Sequence, residues 1–449
     1  MVRNSIHKER SLLNGIEWLC FGIIALNLLW AFFADSVLTR LFSVACIGLC
    51  GVALWKTWGN AEQRITGATV GVFISLIVWI LVMIPAYNNF SSVLTQLQFL
   101  FITGNAHAVF CMRLLVTVLP CIAFSNRNII KTGIWFRVLL FVVLIVSAIY
   151  TAQAVAVNPN ALRARESMEH ADLGYVIKNT PGYAMTYSYA LLTPWFTHKC
   201  YTTEGKLKAF YIMCIIFLMY IIVVAQFATA LIIAIIGIFA YLLMASSNRT
   251  RMLVVFVGIA VFCVITMLDG GADIFYWLAD HVQGAWADKL NDIAEVLTRQ
   301  ESAGSVSGRT DLYSDSFTAF TQSPIIGKFW RATDDIGGHA TALDVLGMTG
   351  ILGFIPFAVS VYSNYVRLKT LSTHKETRAI AVVSAVQFVI LIFTKNIITS
   401  MAIFFVFYAF IPLLIRSEDK EMGEKEDGSD KNNSVQRRYS YARRYSGRA

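Results

Sequence analysis

The chain has 449 residues, of which 57% are hydrophobic and only 14% charged, whereas a soluble protein carries about a quarter charged residues. Apolar runs of about twenty residues exclude an ordinary soluble domain and predict an all-α polytopic membrane protein. The net charge is +9, but the basic residues sit in short connections and in the tail, which marks topology and not nucleic-acid binding.

Taken in chain order, apolar stretches predict spans at 12–34, 36–56, 65–87, 108–124, 133–155, 182–197, 207–225, 227–246, 251–268, 341–365, 378–394 and 396–416. About twelve spans of ~20 residues use ~240 residues, which leaves one sizeable external loop and a tail, and no independent catalytic domain. Arg3, Lys8 and Arg10 precede the first span, and Lys56 with Arg64, Arg127 with Lys131, Lys199 with Lys206 and Lys208, Arg249 with Arg251, and Arg367 with Lys369, Lys375 and Arg378 mark alternate connections. The positive-inside rule then places both termini in the cytoplasm. The other side receives the loops 88–107, 156–181 and 269–340, with tight turns at Gln226 and Lys395. Within 1–268, therefore, nine spans carry two outer loops, and 341–416 holds the last three.

The 269–340 segment is the candidate extramembrane unit. Ile274, Phe275, Leu278, His281, Val282, Trp286 and Leu290 recur at helical spacing, which predicts a helix lying on the membrane surface. A polar break over 301–308 separates it from a second short helix expected to start near Arg309. The tail 417–449 is acidic, then basic at Arg437, Arg438, Arg443, Arg444 and Arg448, and its composition predicts a disordered cytoplasmic segment whose basic end can meet anionic lipid. Of the eight cysteines (Cys20, Cys46, Cys50, Cys111, Cys121, Cys200, Cys214 and Cys263), nearly all fall inside apolar runs, so neither a disulfide framework nor a zinc site is expected.

No Walker loop, dinucleotide fingerprint, HExxH or paired-cysteine motif is present, and no metal or cofactor is expected. Asp334-Asp335 reads as a solvated loop pair. His339 follows Gly337-Gly338 where the large loop re-enters the membrane, and Asp344 lies about one turn deeper. Glycines there allow close backbone approach, and an acid inside a span is costly unless paired or functional. The bland reading of such a histidine is an interfacial cap. Arginines gather on the same side: Arg309 opening the second loop helix, and Arg163 and Arg165 with Glu166, Glu169 and His170 in the 156–181 loop. Arg40 and Arg113 stand near outer span ends, where snorkelling accounts for either one cheaply. Guanidinium forks converging at a membrane surface suit a lipid diphosphate. A neutral imidazole among them could take a proton from an acceptor hydroxyl while the arginines neutralise the departing diphosphate.

Several of these segments resemble the bacterial polysaccharide polymerases of the Wzy type, the O-antigen and capsule polymerases related to the O-antigen ligases. The likeness rests on Ser307-Gly308-Arg309, the turn from Ser323 to Gly327, Gly338-His339 followed by Leu343-Asp344, Gly350-Ile351-Leu352-Gly353, the paired spans around Gln226–Ala230, and the distance from Arg163 to Gly174. It implies an all-helical fold of the lipid-linked (GT-C-like) glycosyltransferase type with its active site at the outer face of the bacterial inner membrane. The implied substrates are undecaprenyl-diphosphate-linked oligosaccharides and the implied catalytic residues Arg309 and His339; the further substrate contacts expected beside them are Arg163, Arg165, Arg113, Arg40, Asp344 and Gln226. A flippase and a chain-length regulator would be its protein partners. Gln226 and Thr229 stand where the ligases carry an arginine, and Ala340 stands where they carry Asn after the loop histidine. Both departures favour polymerase over ligase transferring glycan to a lipid A core. A non-catalytic transporter, the third alternative, would show repeated halves and interrupted midplane helices; the sequence shows no matching halves.

Overall fold

The computed structural model describes residues 2–30, 39–59, 118, 120–122, 124–125, 130–157, 180–245, 271–282, 285–297, 305–328, 336–398 and 400–424. Every regular element among them is helical. In chain order these are α1 (Val2–Leu29), α2 (Thr39–Gly59), α3 (Ile130–Val157), α4 (Tyr183–Leu191), α5 (Thr193–Thr202), α6 (Gly205–Val224), α7 (Ala228–Ala245), α8 (Gly271–His281), α9 (Ala285–Leu297), α10 (Ser305–Gln322), α11 (Thr341–Leu371), α12 (Lys375–Thr394) and α13 (Met401–Glu424). Six are long and apolar enough to cross a membrane: α3 from Arg137, α6, α7, α11, α12 and α13. The expected spans at 65–87, 108–124 and 251–268 fall wholly or largely outside the described residues.

The single span expected at 182–197 is two helices joined at Leu192. Pro194 is the cause, since it has no N–H to give Ala190 and its ring crowds that carbonyl. The orphaned oxygen is recovered by Thr193 Oγ1 at 2.8 Å and by Gln387 Nε2 at 3.2 Å from α12. Gln387 also donates to Ile233 O of α7 at 2.8 Å. A Cβ on Gly237 would lie 2.2 Å from that amide nitrogen, so glycine is what lets α7 close on the break. Polar side chains thus stitch three helices where apolar packing alone gives little preference in lipid.

A second irregularity lies in α13, whose turn Val406–Phe410 is π-helical. Its carbonyls meet a polar stripe on α11. Asn364 Nδ2 donates to Phe407 O at 3.0 Å, Arg367 Nη1 to Tyr408 O at 2.7 Å, and the Ser360 and Tyr408 hydroxyls are 2.6 Å apart. Ser360, Asn364 and Arg367 are spaced four and three residues apart, so they share one helix face.

Of the tail expected to be disordered from Ser417, residues 417–424 are helical, and 425–449 lie outside the described residues. Helix α13 continues to Glu424, and Glu418 is buried. Glu418 pairs with Lys199 Nζ, receives Trp195 Nε1 at 3.2 Å, and lies 3.5 Å from His198 Nε2 and 3.7 Å from Arg137 Nε. Arg137 pairs with Glu421 as well. Next to it, Asp419 caps the start of α12, accepting from the Thr373 and His374 amides at 2.8 and 3.1 Å and from Thr377 Oγ1 at 2.6 Å. A carboxylate at a helix N-terminus is stabilised by the unpaired amides there. Composition suggested a solvated tail, whereas the partners described for these acids lie 42 to 284 residues away in sequence.

The 269–340 segment also differs in detail. Its first half is two helices, α8 and α9, and the second helix begins at Ser305, one turn before Arg309. Trp286 Nε1 donates to Val223 O at 2.8 Å, which ties α9 to the end of α6.

Candidate functional site

The site is built where α10 packs on α11, and glycine makes the packing possible. Gly350 interrupts α11 with φ 60° and ψ −161°, a conformation that only glycine adopts without strain. The break frees amides that would otherwise bond back along the helix. Ile351 N donates instead to Pro324 O at 2.9 Å, and Leu352 N to Ile325 O at 3.1 Å. The turn after α10 therefore fills the gap in α11. Lys328 N closes the other side on Gly347 O at 2.9 Å. Gly327, at φ 72°, lies so close that a Cβ there would stand 2.2 Å from the Met348 carbonyl.

From this junction the chain returns as Gly337-Gly338-His339. A Cβ at Gly337 would meet Leu312 O at 1.9 Å, and Gly338 has φ 67°. Ser316 Oγ sits at the hub, accepting from Gly337 N at 3.1 Å and donating to Asp344 Oδ1 at 2.7 Å. The backbone amides of Ala340, Gly338 and His339 turn toward the same buried carboxylate. Asp344, in the first turn of α11, thus gathers the loop through Ser316, and these contacts hold the backbone that presents His339. His339 itself is half-buried.

A third chain segment completes this end of the bundle. Thr341 Oγ1 donates to Lys395 O at 2.8 Å and accepts from Ile397 N at 2.7 Å, which fastens the α12–α13 turn to the first residue of α11. Asn396 braces that turn through Oδ1, which accepts from Ile398 N at 3.1 Å, and its Nδ2 lies 4.0 Å from where a Cβ on Gly338 would stand. The Tyr183 hydroxyl reaches Asn396 O at 3.4 Å, while its ring packs on Tyr187 and Phe227 at centroid distances of 4.7 and 5.6 Å. Phe227 follows Gln226, which is buried in the α6–α7 turn with φ 58°. His339, Asp344 and, through the Tyr183 aromatics, the Gln226 turn therefore belong to one connected end of the structure.

Arg113, Arg163 and Arg165 lie outside the described residues. Arg309 is placed one turn into α10 and Arg40 at the start of α2, with side chains outside the described part. Ser316, Thr341, Asn396 and Tyr183 were not singled out by the sequence. A signal existed for one of them, because Thr394-Lys395-Asn396 is a polar triplet at an abrupt gap between two apolar runs. The arrangement can hold an imidazole in a fixed place at a helix entrance, next to an exposed apolar helix surface at Ile351, Leu352 and Ile355.

Comparison with protein-family models and with curated proteins finds no match for the chain.

Proposed function

We propose that this protein is a membrane glycosyltransferase that polymerises undecaprenyl-diphosphate-linked oligosaccharide repeat units into O-antigen or capsular polysaccharide. Twelve spans, cytoplasmic termini and a site on the outer face of a bacterial inner membrane belong to the same reading, on the strength of the alternating basic loops. One observation carries it furthest. Two of the segments that resemble the polymerases, 323–327 and 338–353, are brought by α10 and α11 into a single hydrogen-bonded unit around Gly350 and His339.

In this scheme the acceptor sugar hydroxyl attacks the anomeric carbon of the donor glycan, and the bond to the lipid diphosphate breaks. His339 takes the hydroxyl proton as general base. Arg309, with Arg163, Arg165, Arg113 and Arg40 as further candidates, neutralises the departing diphosphate. Asp344 and Gln226 act by shaping the backbone that surrounds the substrate. A cell carrying His339→Ala should insert the protein normally and accumulate single lipid-linked repeat units without a ladder of chain lengths. A normal ladder from that variant would remove His339 from the chemistry.

A further inference from the structure

Between Asp315 and Lys328 the chain has twelve residues without a charge, Ser316 to Gly327. Its apolar members do not all turn inward. Phe317 is 54% exposed, Ile325 69% and Ile326 42%. The turn at the end of this segment is bonded through Pro324 O and Ile325 O to the amides of Ile351 and Leu352. Ile351, Leu352 and Ile355 are themselves 44%, 50% and 54% exposed. They begin the stretch Ile351–Leu371, whose 21 residues at ~1.5 Å each span ~31 Å, close to the ~30 Å hydrocarbon thickness. The Pro324–Ile326 turn is therefore level with the first turn of a membrane-crossing helix, and its apolar side chains continue that helix's exposed face.

We propose that the segment Ser316–Gly327 is a re-entrant element seated in the outer edge of the hydrocarbon layer, on the leaflet of the His339 side, with lipid acyl chains as its partner. Non-helical backbone at membrane depth persists only where its polar groups are satisfied within the protein or reach the interface, and the bonds described for this turn go to the protein itself. Ser323 N bonds Phe320 O at 3.1 Å, Gly327 N bonds Ser323 O at 2.8 Å, and Lys328 N bonds Gly347 O at 2.9 Å. Pro324 has no N–H to satisfy, and the Pro324 and Ile325 carbonyls are taken by α11. The charges begin at either border, where Asp315 and Lys328 can stay at the polar interface. A segment expected from sequence to belong to the extramembrane unit thus becomes an anchor that fixes the Gly-Gly-His loop at head-group height. The inference stands independently of the chemistry assigned to His339.

The test uses the full-length protein in membranes opened to reagent on both sides, so it does not depend on orientation. Ile325→Cys and Ile326→Cys replace exposed side chains and leave the packing intact, and Asp311→Cys, exposed on the same helix, reports the aqueous side. A membrane-impermeant maleimide should label Asp311→Cys above the unsubstituted protein and lose reaction at Ile325→Cys and Ile326→Cys. A photo-reactive diazirine amino acid placed at Ile325 should yield adducts with acyl chains. Equal labelling at Ile325 and Asp311, or failure at both, overturns the insertion. Photo-adducts to a second copy, or to another part of the same chain, overturn lipid as the partner.

Discussion

At the scale of single residues, the His339 loop separates what a side chain does from what a backbone does. Ser316 holds the Gly337 amide and Asp344 holds Ser316, so their loss should move the loop, whereas loss of the imidazole should leave it in place. His339→Gln keeps hydrogen bonding and removes basicity; a general base is worth ~10²–10⁴-fold in rate. Polymer made in vitro from lipid-linked repeats should fall by that order for both His339→Gln and His339→Ala. Normal chain lengths with Gln would leave His339 a positioning residue. Arg309→Lys tests the companion role, because lysine keeps the charge without the bidentate fork. Losing one such contact to transition-state charge costs roughly 2–4 kcal/mol of barrier, read as a slower turnover with unchanged expression. Near-normal activity from Arg309→Ala would return that arginine to the surface. His339 and Asp344 were legible in sequence because a histidine after two glycines, and an acid inside an apolar run, are chemically out of place. Ser316 and Tyr183 were not. Each is an ordinary residue type whose partner lies 21 to 213 residues away, and no local pattern encodes such a pairing.

At the scale of elements, the fold depends on helix breaks that are repaired from elsewhere. The runs of apolar residues made the helices legible and their lengths nearly so. Pro194 and Gly350 were visible as residues, but the groups that repair them, Gln387 and the Pro324–Ile325 carbonyls, come from other segments. Glycine at 350 and 327 is needed twice over, for a positive φ and for close approach of another backbone. A strained left-handed residue costs on the order of 1–3 kcal/mol. Gly350→Ala and Gly327→Ala should therefore lower the unfolding temperature in detergent by more than Gly51→Ala, where a Cβ meets nothing within 4 Å. Equal effects at all three sites would mean that the α10 turn does not fill the α11 break.

At the scale of the whole molecule, the two ends of the bundle are built on different principles. The His339 end is held by backbone amides, hydroxyls and glycines, with Asp344 as its one described buried acid. The opposite end is held by charge: Glu418 and Glu421 of α13 against Arg137 of α3 and Lys199 of α5, with the His198 ring 3.5 Å from Glu418. Adjacent residues on a helix point about 100° apart, which lets Glu418 bind α3 and α5 while Asp419 caps α12. Two neighbouring acids therefore tie the last helix to three others. Removing one partner of a buried ion pair leaves an uncompensated charge and costs ~3–5 kcal/mol, more than the pair itself contributes. Glu418→Ala should thus destabilise the protein strongly, and Glu418→Gln should do so less, because the amide oxygen still accepts from Lys199, although its NH2 then stands against the Trp195 N–H. Replacing Lys199 by Met together with Glu418→Gln removes one positive and one negative charge at once, although Arg137 and Glu421 remain to balance each other. That double variant should recover part of the unfolding temperature lost by Glu418→Gln alone. Additive losses in the double variant would show that Glu418 and Lys199 act separately, and that α13 is held by its apolar face and by Asp419.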